Sequence, residues 1–239
     1  MPWHLTFHAL RVIRRSRYLL LLIALLVLLV AYPFWGRDVV GLATFDIMLW
    51  GVLLGGLWAL HRNRGLLRVA LGMALAAFLA NVGTYLFPTR EAVLVSCLLD
   101  LALLVFVTAI ILSHVVEEGR VDADRIFGAI CGYLLIGLTW ALVFGALDLV
   151  QPGSFDLGEA GAPAGIPEAD PAPHFADMDP FLYYSLVTLS TLGYGDIVAV
   201  TRAARALSAL EAVVGQLYIA VVVARLIGLQ IIARRREGP

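Results

Sequence analysis

The chain has 239 residues, of which 61% are hydrophobic and 15% charged, and its formal net charge is -1. That composition excludes an ordinary soluble domain and implies several membrane spans. The balanced charge, with arginine as the sole basic residue type, offers no basic surface to a nucleic acid.

A helix crossing a bilayer needs about 20 mostly apolar residues. Residues 1–17, carrying Arg11, Arg14, Arg15 and Arg17, read as a cytoplasmic N-terminus. The first candidate span runs from Tyr18 to Phe34. No small-residue cleavage site follows it, and Tyr32-Pro33-Phe34-Trp35 has the aromatic character of an interfacial exit, so the segment reads as a retained span and not a signal peptide. The second candidate, Gly41 to Leu60, is closed by His61-Arg62-Asn63-Arg64. The third begins at Arg68 or Val69 and ends at Phe87, before Pro88; the fourth runs from Glu91 to Val116. Residues 18–116 thus form a four-helix transmembrane domain. Asp46, Asn81 and Asp100 are polar positions within it, expected to pair with one another or with Arg37 and Arg90, or to serve as plain helix–helix hydrogen bonds.

Residues 117–125 form a short charged linker, and the fifth candidate span, Ile126 to Leu149, opens a pore domain over 126–233. The N-terminal arginines, Arg62/Arg64/Arg68, Arg120/Arg125 and Arg234-Arg235-Arg236 all fall on one side of this layout, which places both termini in the cytoplasm of a multi-pass inner-membrane protein. Cys97 and Cys131 lie towards opposite ends of their helices, too far apart for a disulfide, and read as buried structural thiols. The outer loop, 151–179, is rich in Pro, Gly and Ala and carries Asp156, Glu159, Glu168, Asp170, Asp177 and Asp179 without a basic residue. It cannot bury a core, is expected to be partly disordered, and serves as a soluble turret or as an anionic rim that concentrates cations.

A short re-entrant helix follows over 180–190, with Asp179 as N-cap and Pro180 at the first helical position. Its C-terminal end carries a partial negative charge that favours a cation nearby. Then comes Thr188-Leu189-Ser190-Thr191-Leu192-Gly193-Tyr194-Gly195-Asp196, an extended run in which Gly193 and Gly195 allow positive φ without a Cβ penalty. Irregular backbone at membrane depth is tolerated only where protein buries it or water reaches it.

This run resembles the TVGYGD signature of potassium channels, with Leu192 in place of valine, in the order helix, loop, re-entrant helix, filter, helix of bacterial six-transmembrane members of the pore-loop ion-channel family. The resemblance covers the pore unit. It implies a filter over 191–195, in which K+ is bound by carbonyls of Thr191, Leu192, Gly193 and Tyr194 and by the Thr191 hydroxyl. It implies four copies of the chain around one axis in a lipid bilayer, a homotetramer with no cofactor other than the transported K+. Tyr183 and Tyr184 are expected as an aromatic cuff or as interfacial anchors, Tyr194 as a brace turned away from the ion, Asp196 at the outer mouth within reach of a tyrosine hydroxyl, and Leu192 facing the re-entrant helix.

The sixth candidate span runs from Ala203 to Ile232, before a tail at 234–239. Gly215 is either a gating hinge or a small residue allowing close helix contact. Gln216, Ile219, Ala220 and Val223 recur at helical spacing and are expected to line a cavity. Glu211 lies about 140° from Gln216 around the helix, so it should face the re-entrant helix as a protonated or hydrogen-bonded support. The fourth span holds no arginine, whereas a voltage sensor gains about 2.3 kcal/mol per charge per 100 mV, so voltage dependence from this element is not expected.

The sequence therefore predicts an all-α membrane protein: four transmembrane helices followed by a two-helix pore unit with a re-entrant helix and selectivity filter, conducting K+ passively. A weakly selective cation channel and a non-conducting membrane subunit are the alternatives. No nucleophile–base pairing, metal-ligand spacing or phosphate loop points to an enzyme.

Overall fold

The structure, a computed structural model, describes residues 17–31, 64–87, 89–116, 123–158 and 179–237. The second candidate span, Arg37, Asp46, Pro88, most of the charged linker and the outer loop beyond Gly158 lie outside these residues. The described elements are, in order, α1 (Arg17–Ala31), α2 (Arg64–Leu86), α3 (Arg90–Val116), α4 (Ala123–Val150), β1 (Phe155–Asp156), α5 (Asp179–Leu189), β2 (Val198–Ala199) and α6 (Arg202–Glu237). Among the described residues, four helices are long and apolar enough to cross a membrane: Arg64–Thr84, Arg90–Val116, Ala123–Val150 and Arg202–Val222.

Local chemistry sets the helix ends. The Thr89 hydroxyl accepts the Ala92 amide at 3.2 Å and caps α3, and the Thr201 hydroxyl accepts the Ala204 amide at 3.3 Å and caps α6. Several ends differ from expectation. α2 starts at Arg64, four residues early, where the Arg68 guanidinium turns back to the Arg64 carbonyl at 3.2 Å. α4 starts at Ala123, because Asp124 suits a first turn and accepts the Tyr18 amide at 3.0 Å. α6 continues through Glu237, into the expected tail, as no glycine or proline interrupts it between Gly228 and Gly238.

The chain packs as two compact units. One comprises residues 1–68, 107–134 and 221–239. In it Leu21, Leu25 and Leu28 form a buried stripe on α1, and Val107, Ile111 and Val115 a buried stripe on α3, both at helical spacing. The Cys131 thiol reaches the Tyr18 carbonyl at 3.5 Å, and the Arg225 guanidinium donates to the Val116 carbonyl at 3.1 Å.

The other unit comprises residues 69–106 and 135–220. Here the Asn81 amide donates to the Asp100 carboxylate at 2.8 Å and to the Ala77 carbonyl at 3.1 Å, so two of the intramembrane polar residues pair with each other. Arg90 takes the Leu149 carbonyl at the end of α4 instead. Both cysteines are free and buried. The first eight residues of the outer loop are described, and they pack against the elements on either side. Asp148 accepts the Ser154 amide at 3.0 Å, the Ser154 carbonyl accepts the Val200 amide at 2.8 Å, and β1 pairs antiparallel with β2 in the register Phe155↔Ala199 and Asp156↔Val198. The buried Phe155 anchors this segment.

Candidate functional site

The end of α5 is a six-residue C-cap. The Leu192 amide donates to the Val187 carbonyl at 2.9 Å and the Thr191 amide to the Thr188 carbonyl at 2.9 Å, the paired bonds of a Schellman motif. Such a motif puts one residue in the left-handed region, usually glycine. Here that residue is Thr191, at φ 60°, the sole non-glycine with positive φ among the described residues. A β-branched residue there costs about 1–2 kcal/mol relative to the right-handed region, so the surroundings must hold it.

From Thr191 the backbone alternates. Gly193 has φ 57° and Gly195 φ 80°, while Leu192 and Tyr194 between them are not positive. Where the residues between left-handed ones are right-handed, successive N–H groups point to one face. Residues 190–196 are exposed in the single chain, with Leu192 at 55% and Tyr194 at 68%. More than half of Leu192 is thus left uncovered in the single chain. At the far end, the Tyr183 hydroxyl donates to the Asp196 carboxylate at 2.6 Å, and the Ile197 amide donates to the same carboxylate at 3.1 Å. The tyrosine's hydrogen bond holds the Asp196 carboxyl below its ordinary range.

Behind this strand α5 is fastened by aromatic and polar contacts. Phe144 of α4, Phe155 of β1, Phe181 and Tyr184 of α5 stack edge-to-face at centroid distances of 5.2–5.3 Å, and Trp140 joins Phe144 at 5.7 Å. The Tyr184 hydroxyl continues to Ser208 of α6 at 2.7 Å, and Ser208 to the Ala204 carbonyl at 2.8 Å. So Tyr183 and Tyr184 do different work: one reaches Asp196, the other α6.

Glu211 is fully buried, facing α5. Ser185 Oγ lies 2.5 Å from Glu211 Oε1 and 2.7 Å from the Gly137 carbonyl of α4. A serine hydroxyl has one proton, and a carbonyl can only accept. One serine proton cannot serve both partners, so both contacts are satisfied together when Glu211 carries a proton of its own and donates it to Ser185. Among the described residues its Oε2 is buried without a partner, tolerable for a neutral acid and costly for a carboxylate. One chain of hydrogen bonds thereby joins α6, α5 and α4.

On α6, Gly215 lies against the end of α5. A Cβ there would overlap the Leu189 carbonyl oxygen and sit 3.1 Å from Leu189 Cδ1. Close helix approach therefore requires this glycine. The next residue, Gln216, reaches the strand: its Nε2 is 3.2 Å from Thr191 Oγ1, which itself donates to the Ser190 carbonyl at 2.7 Å. Ile219 and Ala220 are exposed in the single chain, and the Val223 side chain lies outside the described residues. Ser185, Ser208 and the left-handed Thr191 were not singled out from sequence. A serine in an apolar helix, facing an acid in another, was the available signal for Ser185. Nothing in the local sequence marks Thr191 as left-handed.

Residues 175–229 match the model of a protein family described as "Ion channel", a stretch covering α5, the strand after it and most of α6. With four helices able to cross a membrane among the described residues, the chain is a multi-pass membrane protein with a region similar to an ion-channel family. No match of comparable significance was found among curated proteins or among solved structures.

Proposed function

We propose that this protein is a homotetrameric, potassium-selective channel in the inner membrane, with both termini cytoplasmic and with the filter formed by Thr191, Leu192, Gly193, Tyr194 and Gly195. One observation carries the reading: positive φ at residues 191, 193 and 195, each separated by one residue, directly after the end of an apolar helix. That alternation gives one chain a row of carbonyls sharing a face, and four chains a ring able to replace an ion's hydration shell. The exposure of this strand in a single chain, next to exposed Leu210, Val213 and Leu217 on α6, fits surfaces that neighbouring copies or lipid cover. Asp196 adds a negative charge at the outer end. K+ passes down its gradient without chemistry, and α3, with Arg90 at its first residue as its sole arginine, gives no charge to drive by voltage.

The half-exposed Leu192, where the family signature has valine, favours a weakly selective cation channel as the second reading. Reversal potentials of reconstituted protein in K+/Na+ gradients separate the two. A K+-dominated potential is expected; equal permeabilities sink the selective reading, and absence of any flux sinks the channel and leaves a non-conducting membrane subunit.

A further inference from the structure

We propose that Gln216 is a positioning residue for the inner end of the filter: it locks the Thr191 hydroxyl so that a lone pair, and not the proton, is offered to the passing cation. The inference rests on the filter reading above and assigns to Gln216 a role more specific than lining a cavity.

Thr191 Oγ1 has one proton and two lone pairs. The proton is committed to the Ser190 carbonyl at 2.7 Å. One lone pair is committed to Gln216, 3.2 Å away. Because the hydroxyl proton is already used, the group facing it has to be the amide NH2 of Gln216 and not its oxygen, which fixes the orientation of the glutamine as well. One lone pair remains, and with both other directions occupied the hydroxyl rotor has no freedom to swing its proton towards a cation. Removing the amide donor frees that rotor. The residue being held is the strained one, Thr191 at φ 60°, and a bond that pins its side chain also supports its backbone.

The placement of Gln216 follows from its neighbour. Gly215 brings the α6 backbone onto the Leu189 carbonyl, two residues before Thr191, so the side chain that follows Gly215 is delivered within reach of the hydroxyl. The chemistry is also specific to glutamine. Leucine at this position has no donor, and glutamate brings an acceptor where a donor is required.

The test uses the full chain reconstituted in liposomes and, in parallel, solubilised in detergent. Half-saturating K+ is read from flux and from the K+-dependent rise in unfolding temperature, so that a poorly conducting variant is still scored by binding. Gln216→Leu is expected to raise the half-saturating K+ about fivefold, the equivalent of one neutral hydrogen bond. The same factor is expected in a Thr191→Ser background, which keeps a hydroxyl, and no further change in a Thr191→Val background, which lacks one. An unchanged Gln216→Leu protein overturns the proposal, as does a full fivefold effect in the Thr191→Val background, since either outcome separates Gln216 from the hydroxyl. A parent protein that conducts and binds K+ normally while the variants behave additively refutes this inference alone. A parent without K+ flux or K+-dependent stabilisation refutes the filter reading and this inference with it.

Discussion

Proton counting around Glu211 makes a sharp prediction. Ser185 sits between an acid and a carbonyl with one proton of its own, so both contacts are met when Glu211 supplies the second and is neutral. In Glu211→Gln, the amide NH2 takes the place of the acid O–H as donor to Ser185, and the amide oxygen takes the place of the buried Oε2. Charge and volume are nearly preserved, so stability should change by less than about 1 kcal/mol per chain. Ser185→Ala leaves the acid proton without an acceptor inside the protein and should cost about 1–3 kcal/mol. Glu211→Ala loses the bond and opens a cavity at a fully buried position, for about 2–5 kcal/mol. Thermal unfolding of the detergent-solubilised protein ranks the three. Infrared difference spectra against Glu211→Gln should show the carbonyl band of a protonated acid at neutral pH. If Glu211→Gln is as damaging as Glu211→Ala, or if the spectra show only carboxylate bands, the charge itself is needed and the counting is wrong.

Three other outcomes follow from the same geometry. Gly193→Ala meets no atom within 4 Å of its new Cβ, so its cost is the left-handed φ alone, about 1–2 kcal/mol per chain; assembly should survive on native gels while K+ flux is lost. Gly215→Ala, by contrast, drives a methyl into the Leu189 carbonyl and should lower both stability and flux, whereas a hinge without close packing would tolerate alanine with its stability intact. Asp196 titrates below its ordinary range because Tyr183 donates to it, so the ionised form is favoured in the folded protein. The support from this pair is therefore fully present above the unfolded carboxyl value of about 4 and fades only as pH falls through the lowered folded one. Carboxyl NMR titration should place Asp196 below a free aspartate, and Tyr183→Phe should bring it back up; no movement in that variant shows that the hydroxyl is not the cause.

What the sequence made legible were the features that depend on composition and periodicity. Long apolar runs at helical spacing located the elements now seen as α1 to α4 and α6, and Asp179-Pro180 marked the start of α5 to within one residue. Gly193 and Gly195 signalled positive φ because no other residue adopts it so readily. Features that depend on a partner distant in sequence were less visible. Ser185 and Glu211 are 26 residues apart and meet through packing of two helices, and Phe155 stacks on Tyr184 of α5 from the start of the outer loop. Thr191 is the clearest case. Its preference is against the left-handed region, and only the two capping bonds of α5 with the contact from Gln216 reverse that preference. Of the helix-end differences, the early start of α4 is of this kind: Asp124 recruits a partner over 100 residues away, which no local window contains.

The left-handed residue that closes α5 is also the first residue of the proposed filter. No slack separates the two. A spacer would let the helix wobble while the carbonyls stayed put; without one, any roll of α5 about its axis is delivered whole to Thr191, as a key turns a bolt. Adding a single residue between Leu189 and Leu192 would advance the strand by about 100° around that axis, carrying every carbonyl after it away from the shared face. In the proposed channel the length of this junction is therefore expected to weigh on conduction as much as the residues that follow it.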